Sequence, residues 1–184
     1  RQGMAELDLM KEAGATAFID THSIESTVQM RNILTYASLT GKTVMIRSLD
    51  DELSNGGLMN EGYQATILGL KPSPSIAEEL RIARDIQLLE QFGGKMHFTT
   101  VSTAKSVELI RQAKKKGLSV TCGTAPYYLY LTDEAINGYN TSLKVQPPLR
   151  SEQALSLFLA MQTRYWKQLR RPEPAPFLVL IAQK

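Results

Sequence analysis

The chain has 184 residues, 43% of them apolar and 21% charged, with a formal net charge of +3. That length holds one domain, or one piece of something larger, and excludes a multidomain enzyme; the composition is that of a globular chain able to bury a core. No apolar run reaches the roughly 18 residues that a membrane span needs.

The charge is unevenly placed. Up to Gln153 there are 16 basic and 17 acidic residues, whereas the remainder carries Arg164, Lys167, Arg170, Arg171 and Lys184 against Glu173. A body of mixed charge offers no phosphate-binding face, so no nucleic-acid partner is expected. The opening RQGMAELDLMKEAG lacks the basic start and apolar run of a secretory signal, which points to a cytoplasmic setting, and a first residue of Arg suggests an internal fragment. Cys122 is the sole cysteine, so no internal disulfide or cysteine metal cluster can form.

In chain order, MAELDLMKEAG reads as a short helix stopped by Gly14, and ATAFID as a strand. Residues 26–40 place Val28, Ile33, Leu34 and Ala37 on one side of a helix that stops at Gly41 and leads into the strand TVMIRS. A long connection rich in Gly, Ser, Asn and Pro follows, from residue 48 to 75. Beyond it, Ile76, Leu80, Ala83, Ile86 and Leu89 recur every three or four residues up to Gly93-Gly94 and the strand KMHFTTV. Ser102 or Thr103 can cap a helix carrying Val107, Ile110 and Ala113, which ends at Gly117 before LSVTCGTA. Four helix–strand units in succession predict an α/β fold with a parallel sheet and right-handed helical crossovers. The alternatives are a doubly wound sheet and a (β/α)8 barrel, of which four strands make half.

The chemistry-bearing residues are sparse. His22, His97 and Asp20 could make a minimal metal set, but their spacing matches no compact metal motif, and a loop histidine beside a hydrogen-bonded core histidine is the simpler expectation. Cys122 reads as a buried thiol rather than a nucleophile. The glycines of NGGLMNEG lack the GK[ST] of a phosphate loop and read as loop glycines. Tyr127, Tyr128 and Tyr130 follow a predicted strand, where they either close a pocket or pack as core. Residues alone thus end at an α/β domain, half a barrel, without a complete catalytic set.

The blocks LGLKPSPSIAEELRIARDIQLLEQFGGKMHF, VSTAKSVELIRQAKKKGLSVT, LTDEAI and KVQPPLR resemble the dihydroorotase branch of the cyclic amidohydrolases, with a weaker match through GLMNEG and AGATAFID. The resemblance implies a partial (β/α)8 barrel of the metal-dependent hydrolase type and a reaction that closes carbamoyl-aspartate to dihydroorotate, with zinc polarising the amide and generating hydroxide. This chain departs at the implied ligand positions. Where active members read His-x-x-His-Val-Ser-Thr it has His97-Phe98-Thr99-Thr100-Val101-Ser102-Thr103, and where they read Thr-Pro-His-His-Leu it has Ala125-Pro126-Tyr127-Tyr128-Leu129. Gly123 replaces an acidic residue, Asp-Asp-Gly becomes Asp20-Thr21-His22, and His-Cys-Glu-Asp becomes Arg47-Ser48-Leu49-Asp50. Asp20, Thr100 and Tyr127 thus mark the ligand region without supplying a ligand set, and Arg47 and His97 are polar remnants beside it. No catalytic residue, metal or cofactor is expected.

The resemblance is nearest to the non-catalytic dihydroorotase-like chains that accompany aspartate carbamoyltransferase. It implies a structural role in an oligomeric assembly, with that enzyme's catalytic chain as partner, in pyrimidine biosynthesis. A divergent dihydroorotase, or other cyclic amidohydrolase, with its remaining ligands outside the chain is the alternative, and an inactive gene remnant is a third reading. Residues 1–153 are expected to form the partial barrel, and 154–184 a divergent or aberrant tail. Four adjacent parallel strands are expected within residues 15–125, with helices on one outer side and uncovered apolar edges. Two helix faces, one with Arg81, Arg84, Gln87 and Glu90 and the next with Lys105, Glu108, Arg111 and Lys114, are expected to be available for docking.

Overall fold

The computed structural model describes residues 6–20 and 22–168. In chain order it contains α1 (Leu7–Glu12), β1 (Ala17–Ile19), α2 (Thr27–Thr40), β2 (Thr43–Ile46), α3 (Asp51–Ser54), β3 (Met59–Asn60), α4 (Tyr63–Leu68), β4 (Pro72–Ser73), α5 (Ile76–Phe92), β5 (Lys95–Phe98), α6 (Ala104–Lys115), β6 (Val120–Cys122) and α7 (Glu152–Gln168), with three 3-10 turns between β6 and α7. The helix ends follow local chemistry. The Ser26 side chain accepts from the Gln29 N–H to start α2, which ends where Gly41 takes a left-handed φ of 69°. Thr103 caps α6 by accepting from the Ser106 N–H.

Strands β1, β2, β5 and β6 form one parallel sheet in that order, and Ile19, Met45, His97 and Thr121 share one cross-strand row. Side chains alternate across a sheet, and here the two faces have different fates. Phe18, Val44, Ile46, Met96, Phe98 and Val120 join one apolar core with Met30 and Leu34 of α2, Ile82 and Leu89 of α5, and Ile110 of α6. The intervening Ile19, Met45, His97 and Thr121 point to the opposite, concave face, where Ile19 is 62% exposed. Helices therefore cover one face of a sheet whose strands follow one another in sequence order. This is the expected segment of a (β/α)8 barrel, and it excludes a doubly wound sheet, which carries helices on both faces.

The connection after β2 is more ordered than its composition suggests. It holds α3, α4 and a small parallel pair in which Met59 lies opposite Pro72 and Asn60 opposite Ser73. Strands of two residues are too short to show a period, so the sequence registers only the turn residues around them. Gly57 is more than a loop glycine. A Cβ there would sit 2.3 Å from the Pro72 carbonyl oxygen, so the two backbones meet only because it is absent.

The expected docking face of α5 requires correction. Arg81 is 2% exposed, and its guanidinium donates to both oxygens of Glu25 at 3.1 and 3.4 Å. Arg84 donates to the carbonyls of Ile24 and Glu25 at 3.0 and 2.8 Å and to the fully buried Asp85 at 2.6 Å. These arginines hold the turn after β1 to α5, so Arg81 is buried and Arg84 half-buried rather than exposed for docking, while Gln87 and Glu90 remain exposed. On α6, Lys105 is exposed and Glu108, Arg111 and Lys114 are half-buried, with Arg111 donating to Glu108 at 2.8 Å. The residue 153 boundary falls within the first turn of α7, whose Phe158 is buried in the main core; residues 169–184 lie outside the described residues.

Candidate functional site

All four strands point their C-terminal ends the same way, so the residues that follow them share one rim. Arg47 directly follows β2, Thr100 lies two residues past β5, and Tyr127 sits in the 3-10 turn Pro126–Leu129 after β6. Thr100 and Tyr127 are half-buried, and the Tyr127 ring tilts against Tyr128 with centroids 4.5 Å apart. Tyr128 is the core member of the three tyrosines. It is buried, its hydroxyl donates to the Pro147 carbonyl, and burial pushes its phenol far above the usual range; Tyr130 is exposed.

Asp20 directly follows β1 at the edge of the same rim, and His22 comes two residues later. Asp20 accepts from the His22 backbone N–H at 3.1 Å, and both line a cleft of about 510 Å³ beside β1 with Leu7, Phe18 and Met45. His97, Thr100 and Tyr127 do not line it. Thr21 lies outside the described residues. His97 bonds Thr121 Oγ1 through Nδ1 at 2.8 Å, its Nε2 finds no partner among the described residues, and burial holds the imidazole below its usual value. Burial pushes the half-buried Cys122 thiol up to about 11, which leaves it inert as a nucleophile. Gly123 is bound into backbone pairing with Phe98 and Val101.

Zinc takes imidazole, thiolate or carboxylate donors in a closed set. Here the rim offers a threonine hydroxyl, a phenol, a guanidinium and the single carboxylate of Asp20, and no group of three His, Cys, Asp or Glu side chains that could hold a metal exists among the described residues. The residues present do not fit the metal. Arg47 instead donates from Nη2 to Gln146 Oε1 at 2.8 Å and pairs with Asp51 at 3.2 Å.

A second cluster at the rim escaped sequence reading. Glu78, with no exposed surface, accepts from the backbone N–H groups of Ser102 and Thr103 at 3.0 and 3.1 Å. Arg150, 3% exposed, donates to Glu78 at 3.3 Å, to Ser102 Oγ at 2.9 Å and to Asn60 Oδ1 at 3.1 Å. The Asp133 backbone N–H donates to the Arg150 carbonyl, and burial raises the Asp133 carboxyl against the lowering effect of a hydrogen bond from Asn60. This buried charge pair clamps α5, the β5–α6 turn, the β3 segment and the approach to α7 into one cap. In sequence, Glu78 looks like an ordinary acid in the first turn of a helix, and only its partners 24 and 72 residues away reveal what it holds.

A family model described as dihydro-orotase-like matches residues 2–106. The chain belongs to that family. It is 51% identical over 149 residues to a dihydroorotase of Pelotomaculum thermopropionicum, covering 80% of this chain and 35% of that one. It is 47% identical over 149 residues to a dihydroorotase of Acetivibrio thermocellus, with the same coverage. The chain therefore spans about a third of the length of the curated relatives it matches. Among solved structures, a D-hydantoinase superposes with a TM-score of 0.69 at 23% identity over 86% of this chain and 37% of its own. The L-hydantoinase (dihydropyrimidinase) of Arthrobacter aurescens gives 0.69 at 24% identity over 91% and 38%. At such identities these neighbours establish the partial-barrel fold alone. No helix among the described residues is long and apolar enough to cross a membrane.

Proposed function

We propose that this dihydroorotase-family chain is a non-catalytic, cytoplasmic component of pyrimidine biosynthesis whose barrel supports the assembly of aspartate carbamoyltransferase, with no zinc of its own. The observation that carries the reading is the state of Arg47. At the end of β2, where the family resemblance calls for a histidine, a guanidinium is already engaged by Gln146 and Asp51. A fixed positive charge there opposes a dication, and the hydroxyls of Thr100 and Tyr127 do not replace the missing imidazoles. The polar cap built on Glu78 and Arg150 holds the rim through bonds among the chain's own side chains, which supports this reading.

The identity to proteins named dihydroorotase favours a second reading, a divergent enzyme whose remaining ligands come from outside this chain. One preparation tests both. The protein, purified as its organism makes it alongside its own carbamoyltransferase, is expected to co-elute with that enzyme, to hold no stoichiometric zinc on elemental analysis, and to leave dihydroorotate intact. Separate elution with about one zinc per chain and measurable turnover replaces the structural reading with the enzymatic one.

A further inference from the structure

The segment between residues 137 and 150 changes character at one point. Positions 137–146 are exposed or half-buried throughout, whereas Pro147, Pro148, Leu149 and Arg150 are buried. The buried part is an anchor: Tyr128 holds the Pro147 carbonyl, Arg150 is fixed by Glu78, Ser102 and Asn60, and the Asp133 N–H takes the Arg150 carbonyl. The outer part is an arm. Its backbone bonds close local turns, from the N–H groups of Tyr139, Leu143 and Lys144 to the carbonyls of Ile136, Asn140 and Thr141. Leu143 and Val145 pack partly against the small apolar cluster around Met59 and Tyr128. Among the described residues, long-range side-chain bonds tie the arm to the rest at two points, one from the Tyr139 hydroxyl to the Leu68 carbonyl at 3.0 Å and one from Arg47 Nη2 to Gln146 Oε1 at 2.8 Å.

The second tie is built to be released. Gln146 is exposed, so water can take its place on either side of the bond. Arg47 also holds Asp51 at 3.2 Å, so letting go of Gln146 does not leave the half-buried guanidinium without a countercharge. Hydrogen bonds to a charged group are nonetheless stronger than neutral ones, which favours the closed setting.

We propose that Arg47 and Gln146 form a releasable latch that holds the arm 137–146 against the C-terminal end of β2, hinged on the buried Pro147–Arg150 anchor. The latch deepens the reading of Arg47 as a structural cation of the rim, but its own warrant is the pair of bonds from Arg47 to Gln146 and Asp51. In the closed setting the arm bridges from the end of β2 toward α4; in the open setting Arg47 keeps Asp51 alone and the arm swings on its anchor.

Hydrogen exchange of the intact protein, read by mass spectrometry over residues 137–146, tests this. Gln146→Ala and Arg47→Ala are each expected to speed exchange at Tyr139, Leu143 and Lys144 roughly tenfold, with residues 147–150 and β2 unchanged. Gln146→Glu supplies a charged acceptor, so it is expected to slow exchange in the arm and to make it sensitive to salt. Exchange in the arm that Gln146→Ala leaves unaltered, or a change spread equally over anchor and sheet, overturns the latch. Zinc content and dihydroorotate turnover of the same wild-type sample separate the two ideas. Bound zinc with a responsive arm removes the non-catalytic reading and spares the latch, whereas a metal-free protein with an unresponsive arm removes the latch alone.

Discussion

The helix-covered side of the sheet and the cap at the strand C-termini are built on opposite terms. The first is held by non-directional apolar burial, in which Phe98, Met30, Leu34, Ile82 and Leu89 lose nearly all contact with water. The second is held by a few directional bonds across long stretches of chain, Arg150 to Glu78 and Arg47 to Gln146 among them. The apolar layer tolerates changes that conserve volume and pattern. The cap tolerates almost none at the buried pair of Glu78 and Arg150, because a buried charge deprived of its partner costs more than the pair contributed, whereas the exposed bond from Arg47 to Gln146 can open with Asp51 still in place.

The largest expected effects set these terms against each other. Phe98→Ala empties the centre of the apolar layer and is expected to cost about 3–5 kcal/mol in urea unfolding, shifting one cooperative transition. Glu78→Ala strands the Arg150 guanidinium and is expected to cost a similar ~3–5 kcal/mol. The distinguishing measurement is the double variant Glu78→Leu, Arg150→Met, which is expected to be more stable than Glu78→Ala alone; a double variant as damaged as the single one places the worth of the cap in packing rather than in charge. Next in size is Gly57→Ala, where the clash with Pro72 is expected to cost about 1–3 kcal/mol and to raise hydrogen exchange in β3 and β4 while leaving β2 and β5 protected.

Acidity probes the comparison from inside the helix layer. Burial raises the Asp85 carboxyl to about 6 despite Arg84 and Arg81 beside it. The folded chain thus holds this proton more tightly than the unfolded chain. The stability Asp85 contributes is fully present below the ordinary aspartate range and is lost as the pH rises through about 6. Asp85→Asn is expected to remove that loss, which denaturation midpoints followed from about pH 4 to about pH 7 will register as a changed slope. His97 acts in the other sense, contributing stability above the ordinary histidine range that is lost as the pH falls. The smallest effect belongs to the exposed pair of Lys116 and Glu90, 2.9 Å apart: Lys116→Ala is expected to change stability by about 0.5 kcal/mol or less, and a larger loss by the same urea assay would show that surface charge matters more here than exposure allows.

How much of this was legible depended on the range of the interaction involved. Ser26, Gly41 and Thr103 mark helix ends because a cap is settled within three or four residues, and the runs that became β1, β2, β5 and β6 stood out because a strand covered by helices is apolar along its length. Arg81 and Arg84 misled for the complementary reason. Polar residues spaced along a helix signal a solvated face unless a partner buries them, and Glu25 lies 56 residues from Arg81, where no periodicity can announce it. The site divides in the same way. The positions of Arg47, Thr100 and Tyr127 at one rim follow from the order of the strands, but the bond from Arg47 to Gln146 joins residues 99 apart and exists only in three dimensions.

Helix α5 touches α2, α3 and α6 as well as β5, and its contacts with β5 and α6 close across short stretches of chain. Segments that meet over short loops lose little chain entropy in meeting, so α5, β5 and α6 are expected to assemble early, ahead of contacts that span long stretches of chain. Substitutions in this α5–β5–α6 unit are therefore expected to act chiefly on the rate of folding, whereas those at the Arg150 clamp, which joins residues 72 positions apart, are expected to act chiefly on the rate of unfolding.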